Sequence, residues 1–427
     1  MSASSHAPLH VVVAGGGIAG VEAVLALGDL AGDAVRMTLV APDSEFELKP
    51  LRTAVPFAAD HRRRHPLREL TRNLPVELRQ DAVAAVEPDR HVVRLAEGGE
   101  LHYDALVVAV GARPRPAYQR ALTFGASPRT EALNGLLADL DEHYSRSVAF
   151  IVAPGVSWSL PLYELALMTA AEVWSMGIDD VQLELITPES APLAIFGPAA
   201  SSAVAKLLDD AGVAFRPGAY AEVDARGRIT VRPGGHEVEA RRVVALPLLD
   251  GPRVPGVPAD PHGFIPVDDH GRVRGLDDVY AAGDGADFPI KQGGLGCQQA
   301  DAVAEHLAAR AGADLEPRPF RPVLRGKLLT GHGAQYLRNP LHGGAGESRA
   351  SDFQLWSPAT KVSGRYLSLW LNHLDAGGTR GLATPAPAPP HVDDVDIEVP
   401  LPAPYELRRR TLAFDPYSPV RHPVSRA

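Results

Sequence analysis

A single cysteine, Cys297, stands in a chain of 427 residues. No disulfide can close within the chain, and a mechanism that needs two thiols in one chain is excluded. No apolar run reaches the about 18 residues that a membrane-spanning helix requires. The first ten residues show no basic region followed by an apolar stretch, so no secretory signal is read and a cytoplasmic location is expected. An excess of positive charge is missing too. The 42 Lys and Arg against 52 Asp and Glu leave a net charge of −10, which argues against general nucleic-acid binding. The 16 histidines show no paired metal-ligand spacing with acids, so no metal site is expected. What remains is an ordinary globular composition, 45% hydrophobic and 22% charged, with room for two or three domains.

The first strong pattern is His10-Val11-Val12-Val13-Ala14, a short β-branched run that reads as a buried strand. It leads into Gly15-Gly16-Gly17-Ile18-Ala19-Gly20, a helical pattern, and a second strand at Arg36–Val40. Strand, glycine turn, helix and strand open a parallel α/β sheet. In Gly15-x-Gly17-x-x-Gly20 the first glycine allows the tight turn, the second lets backbone approach a pyrophosphate, and the third lets helix and strand touch. Backbone N–H groups at the helix start, Ile18 and Ala19 among them, and the positive helix end would hold the phosphates. The plainer alternative is a glycine-rich turn that packs a helix on a sheet. No acid stands directly at the end of the second strand; Asp43 follows slightly late, so ribose is left to Asp43 or to backbone.

Further along, Leu78–Val86 and His91–Leu95 look like short strands, and Ala105–Val110 is another apolar strand closed by Gly111. A second α/β unit is expected from Ser147: a strand at Val148–Val152, a helix over 162–176, a strand at 181–186 and a helix over 200–211. Arg228–Val231 and Val238–Leu246 suit strands of that sheet's edge, and Tyr366–Trp370 reads as a strand. The expected fold is therefore α/β, with two Rossmann-like, three-layer parallel-sheet domains, the second inserted in the first. The boundaries are 8–118 with 245–318, then 119–244, a C-terminal cap over 319–376, and a Pro-rich extended tail over 377–427.

Tyr103-Asp104 through Gly111-Ala112-Arg113-Pro114, and Val279-Tyr280-Ala281-Ala282-Gly283-Asp284, follow the glycine motif in order. Together the three resemble the motifs of the FAD-dependent pyridine-nucleotide-disulfide oxidoreductase superfamily, over residues 8–375. Phe46–Leu51, Phe196-Gly197, Pro289–Gly293 and Gln298-Gln299-Ala300 make the sulfide:quinone oxidoreductase and type II NADH dehydrogenase branch the most similar. The resemblance implies non-covalent FAD on Gly15, Gly17, Ile18, Ala19, Gly20, Gly111, Gly283 and Asp284. Asp284 would accept hydrogen bonds from the ribitol, Pro50 would lie near the isoalloxazine, and Gly294, Leu295 and Cys297 would open a helix toward the flavin pyrimidine edge. A helix N-terminus carries roughly half a positive charge, and Lys291 would add a full one. Both would stabilise reduced flavin.

The second unit lacks its fingerprint. After Val152 the chain reads Ala153-Pro154-Gly155-Val156-Ser157-Trp158-Ser159, with one glycine of three, and Ile186-Thr187-Pro188-Glu189 has no acid directly at the strand tip. Nicotinamide binding is thus doubtful on the sequence. The stretch Ala41–Phe46 has no thiol, which disfavours the single-cysteine peroxidases and coenzyme A disulfide reductases, and the disulfide of sulfide oxidases cannot form. Lys291, Cys297 and Glu164 are the candidate catalytic side chains. Cys297 in a first helical turn would tend to thiolate, or it is a small buried residue. Glu164 faces the cleft or is an exposed helical acid; Lys291 tunes the flavin or is a solvated loop lysine.

The function expected is an FAD-dependent oxidoreductase passing electrons from an unidentified donor to a quinone or other small acceptor. The alternatives are an NAD(P)H:acceptor reductase and a non-catalytic flavin-binding sensor or scaffold. The partners are a small-molecule donor and acceptor, with no nucleic acid and no transmembrane segment. Peripheral membrane contact through the basic run His61–His65, and a homodimer, are left open.

Overall fold

The computed structural model describes residues 7–57, 64–125, 131–341 and 348–375. The chain opens with β1 (Leu9–Ala14), α1 (Ile18–Ala31), β2 (Val35–Ala41), β3 (Val76–Gln80) and β4 (Ala105–Val108). It then builds a second unit from β5 (Leu122–Thr123), α2 (Glu131–Asp141), β6 (Ser147–Ile151), α3 (Leu160–Ser175), β7 (Gln182–Ile186), α4 (Pro198–Asp210), β8 (Val213–Arg216) and β9 (Arg242–Ala245). It returns to the first with β10 (Val279–Ala281) and α5 (Gly293–Arg310), and closes with β11 (Val323–Leu329), β12 (Ala334–Pro340), β13 (Arg349–Ser351) and α6 (Leu367–Asp375).

Each unit carries a five-stranded, all-parallel sheet. The orders are β10-β4-β1-β2-β3 and β5-β9-β6-β7-β8. In both, the first long strand lies between a strand that follows it directly and one that returns later. That is the topological switch point, where α/β sheets open a crevice at the strand ends.

Successive side chains of a strand face opposite ways. Val11 and Val13 of β1 join the core formed with α1 and α5, whereas Val12 and Ala14 join the core on the other face. That other face is covered by a three-stranded antiparallel sheet, Val83–Glu87, Val92–Leu95 and Glu100–His102. Burial on both faces is why β1 reads as an uninterrupted apolar run. The two crossings between units run side by side, Arg113–Arg115 pairing antiparallel with Leu248–Asp250.

Four sequence expectations are corrected. Residues 78–86 form two strands rather than one: β3 closes the parallel sheet and Val83–Glu87 leaves it for the antiparallel layer. Ile229–Arg232 pairs antiparallel with Tyr220–Val223 and His236–Val238 instead of edging the parallel sheet. β9 lies inside its sheet, between β5 and β6, and not at its edge. Residues 367–370 are helical rather than extended, with Tyr366 in the turn before them. Tyr366, Leu367, Trp370 and Leu371 all face the α1–α5 core, a spacing that suits a helix. The Glu22 carboxylate accepts from the Tyr366 N–H at 2.9 Å and the Leu367 N–H at 2.7 Å, which supplies a negative group at the helix start. The expected tail over 377–427 lies outside the described residues.

Candidate functional site

The crevice at the end of β1 is shaped by its glycines. Gly15 has a φ of +118°, and a Cβ there would lie 2.3 Å from the Ala109 carbonyl oxygen. A Cβ on Gly20 would lie 1.8 Å from the Gly15 carbonyl oxygen, so only glycine lets α1 start this close to the turn. Gly17 differs: a Cβ there meets nothing within 4 Å. It is the N-cap of α1, and no side chain caps the helix. Unsatisfied N–H groups at a helix start, facing open space, are what an anionic phosphate requires. Asp43 is exposed just beyond β2, and Gly111, with φ +74°, follows β4 at the same end of the sheet.

The return segment brings Gly283 and Asp284 to this crevice. The Gly283 N–H donates to Gln299 Oε1 at 2.8 Å, which ties the loop to α5. Among the described residues no donor hydrogen-bonds to Asp284. Burial raises its carboxyl pKa, and the charges of Lys291 and Lys49 oppose the rise. Lys291 is buried rather than solvated: its ammonium donates to the Ala286 carbonyl and lies 3.9 Å from the Phe264 ring centroid. α5 begins with Gln292 as N-cap, its Oε1 accepting from Leu295 N–H at 2.8 Å. A Cβ on Gly296 would lie 3.2 Å from Gly283 Cα, so the first turn of α5 rests directly on this loop. Gln292 and Gln298 bind the backbone of β11, fastening the C-terminal part to the same helix.

Pro50 lies in the short helical segment Lys49–Phe57, held from one side by a two-pronged Arg52–Glu47 pair at 2.8 and 2.5 Å. Thr53 of that segment donates to Glu164 Oε2 at 2.9 Å. Glu164 is neither exposed nor open to a cleft. It is fully buried on α3, pairs with Lys361, and accepts from the Leu329 N–H at 2.9 Å. Burial raises its pKa and Lys361 pulls it back. The same burial lowers Lys361, whose ammonium also donates to the Lys327 carbonyl at 2.6 Å. One ion pair thus joins the Pro50 segment, the second unit and the C-terminal part.

Cys297 is corrected as a thiolate candidate. Burial pushes its thiol well up, and the acids Glu22 and Asp301 push it further. A Cβ on Gly364 would lie 2.8 Å from both Cys297 Sγ and Glu22 Oε2, so the thiol faces the acids and Gly364. Burial and the neighbouring Glu22 carry the Asp301 carboxyl well above the usual range; burial raises Glu22 as well, against the backbone N–H groups of Tyr366, Leu367 and Arg365. Arg365 opposes and Glu305 reinforces the rise at Asp301. A carboxyl raised in the folded state contributes stability in full at low pH and loses it as pH rises through its folded value. Thermal stability in a Cys297→Ala background should therefore fall toward alkaline pH, and Asp301→Asn should flatten that fall. Parallel profiles with and without Asp301→Asn would contradict this.

In the second unit, Trp158 packs against Phe196, ring centroids 5.8 Å apart, in the turn where the fingerprint is missing. Glu189, three residues beyond the tip of the strand by sequence, is folded back onto α3. It was not among the sequence candidates; the only local signal was Thr187-Pro188, which turns the chain, with Glu189 N–H donating to Thr187 Oγ1 at 3.2 Å. Lys361, Glu22 and Asp301 were likewise missed, since their partners are 197, 344 and 279 residues away or unreadable from spacing. His65 is buried between Phe46 and Trp370, and Arg64 lies 3.6 Å from Glu45; His61–Arg63 lie outside the described residues, as does His342. No group of three metal-ligating side chains occurs, and no helix is long and apolar enough to cross a membrane, among the described residues.

Comparison with known proteins places this geometry. The profile of the pyridine nucleotide-disulphide oxidoreductase family matches residues 9–138 and 165–306. A sulfide-quinone reductase of Aquifex aeolicus (strain VF5) is 28% identical over 275 residues, 57% of this chain; the match spans 60% of that relative's length. The fold is similar to the X-ray structure of the sulfide:quinone oxidoreductase from Aquifex aeolicus, with TM-score 0.69 and 22% identity over 78% of this chain and 84% of that one. It is also similar to an NAD-dependent persulfide reductase from A. fulgidus, with TM-score 0.56 and 17% identity over 77% of this chain and 64% of that one.

Proposed function

The chain belongs to the pyridine nucleotide-disulphide oxidoreductase family, and from that premise we propose that it is an FAD-dependent oxidoreductase whose electron donor is not a nicotinamide nucleotide and whose acceptor is a quinone or another small redox molecule. The observation that carries the reading is the contrast between its two switch points. The first has open space at Gly17, an uncapped helix start, an exposed Asp43 and an Asp284 without a donor. The second has a tryptophan in its turn and its acid already bonded. A quinone acceptor is supported by the names of the Aquifex relative and the Aquifex structure. The single cysteine means that any electron transfer proceeds without an intrachain disulfide.

The residues at the first switch point suit non-covalent FAD, which when bound would supply the two-electron chemistry. Gly15, Gly17, Ile18, Ala19 and Gly20 would hold the pyrophosphate, Asp43 the ribose, and Asp284 a ribitol hydroxyl. Gly111 and Gly283 supply the close backbone turns at its edge. Gly294 and Leu295, at the start of α5, direct the helix's positive end toward the site. Lys291 adds its charge from within the protein, held by the Ala286 carbonyl. Pro50 forms part of the wall that Glu164 and Lys361 brace from behind. Neither Glu164 nor Cys297 is exposed, so their proposed contribution is to position this wall and helix.

An anaerobic absorbance titration tests the reading. Purified protein should carry a flavin spectrum, stay oxidised with NADH and with NADPH, and bleach with dithionite. Protein that neither carries nor takes up FAD would overturn the cofactor; bleaching by NADH or NADPH would overturn the donor.

A further inference from the structure

Dinucleotide-binding units commonly place an acid at the end of their second strand, where it hydrogen-bonds ribose hydroxyls; in the second unit the nearest acid, Glu189, stands three residues past that strand. Three hydroxyl donors already hold that acid. Glu189 Oε1 accepts from Ser159 Oγ at 3.1 Å. Its Oε2 accepts from Tyr163 Oη at 2.7 Å and from Thr187 Oγ1 at 2.9 Å. Ser159 is the N-cap of α3, yet its hydroxyl caps nothing in the helix; it is turned to Glu189 instead. The acid's backbone is held too: its N–H donates to Thr187 Oγ1 and its carbonyl accepts from Gly218 N–H at 2.8 Å.

A carboxylate is therefore pinned across the first turn of α3, in the sector where the adenosine ribose and the pyrophosphate of a dinucleotide would meet the protein. It fills space and it presents acceptor oxygens where a phosphate would need donors. The first unit provides an internal comparison. There the helix start is uncapped, Gly17 faces open space and Asp43 is exposed. The same topology is open at one switch point and closed by its own side chain at the other.

We propose that Glu189 is a specificity-determining residue: its carboxylate, seated by the hydroxyls of Ser159, Tyr163 and Thr187, occupies the nucleotide seat of the second unit and bars nicotinamide dinucleotides from it. This rests on the reading that the donor is not NAD(P)H, and it names the agent. Removing the carboxylate leaves three hydroxyl donors aimed at one vacant anion position.

The test is binding rather than turnover, on flavin-loaded protein checked for flavin content and melting temperature. Wild type, Glu189→Ala, Glu189→Gln and Ser159→Ala are titrated with AMP and with NADH, followed by calorimetry and nicotinamide fluorescence. Wild type and Ser159→Ala, which keeps two of the three hydroxyl anchors, should show no saturable binding. Glu189→Ala should bind AMP and NADH at least about tenfold more tightly than wild type, and acetate should compete with AMP for the vacated position. Should Glu189→Ala lose flavin or fold, the near-isosteric Glu189→Gln decides, with a smaller gain in the same direction. Folded Glu189 variants that bind neither ligand would overturn the role of Glu189 while leaving the donor reading intact. Wild type that binds NADH saturably would overturn both.

Discussion

Glycine-to-alanine changes at Gly20 and Gly17, three positions apart in the same turn, should fail in different ways. Gly20→Ala is expected to damage the protein itself. Its Cβ would lie 1.8 Å from the Gly15 carbonyl oxygen, and α1 would have to move off the turn. Overpacking of a tight contact costs about 1–3 kcal/mol, and this contact is backbone, which yields less than a side chain. The variant should lose its bound flavin and melt lower even without it. Gly17→Ala should do the reverse. Its Cβ meets nothing within 4 Å and its φ of −84° is open to any residue, so the flavin-free protein should lose only the cost of alanine at an N-cap, about 1 kcal/mol or less. The methyl group would nevertheless stand in the space that the phosphates need, and FAD affinity should drop by at least about tenfold. Melting curves with and without FAD, together with the flavin-to-protein absorbance ratio, separate the two effects. If Gly17→Ala lowers flavin-free stability as much as Gly20→Ala, or leaves FAD affinity intact, the glycine seat is misassigned.

Glu164→Ala is expected to be the costliest single change away from the glycines. It strands the Lys361 ammonium, the Leu329 N–H and the Thr53 hydroxyl in a dry interior. Their side-chain exposures of 0% for Glu164 and 6% for Lys361 place the pair in the buried class. Removing one partner of such a pair costs about 3–5 kcal/mol, whereas replacing both with well-packed apolar groups is often neutral or stabilising. Glu164→Gln with Lys361→Met keeps an acceptor, Oε1, for the Leu329 N–H and offers Nε2 as a donor to the Thr53 hydroxyl, which is left to donate to the Pro50 carbonyl, and should recover most of that loss. Denaturant midpoints of wild type, Glu164→Gln, Lys361→Met and the double variant measure the coupling. A double variant no better than Glu164→Ala would show that the pair acts through packing and not through charge. Because Thr53 belongs to the Pro50 segment, the flavin spectrum should also shift in Glu164→Ala and return in the double variant.

The parallel-sheet fold was legible because its signals are local. The apolar run His10–Ala14 is buried on both faces, and in the glycine spacing 15, 17, 20 the first and last positions leave no room for a Cβ. The helices over 160–175, 198–210 and 293–310 carry the apolar pattern expected of them. The errors lie where a distant partner overrode local preference. Residues 366–370 are rich in apolar residues either way; the Glu22 carboxylate and the α1–α5 core select the helix. Cys297 stands in a first helical turn, yet burial beside two acids outweighs the helix end and raises its thiol.

The sequence alone determined the sheet class, the glycine turn, the missing second fingerprint and the impossibility of an intrachain disulfide, since each follows from residue type and spacing along the chain. Only the tertiary structure decided which charges are paired and which are open. Glu164 and Glu189 both look like ordinary surface acids in the sequence. One is closed by Lys361, far along the chain, and the other by three hydroxyls brought together where β7 ends and α3 begins. Burial makes a charge depend on whatever the fold sets within hydrogen-bonding distance, and spacing along the chain carries no record of that distance.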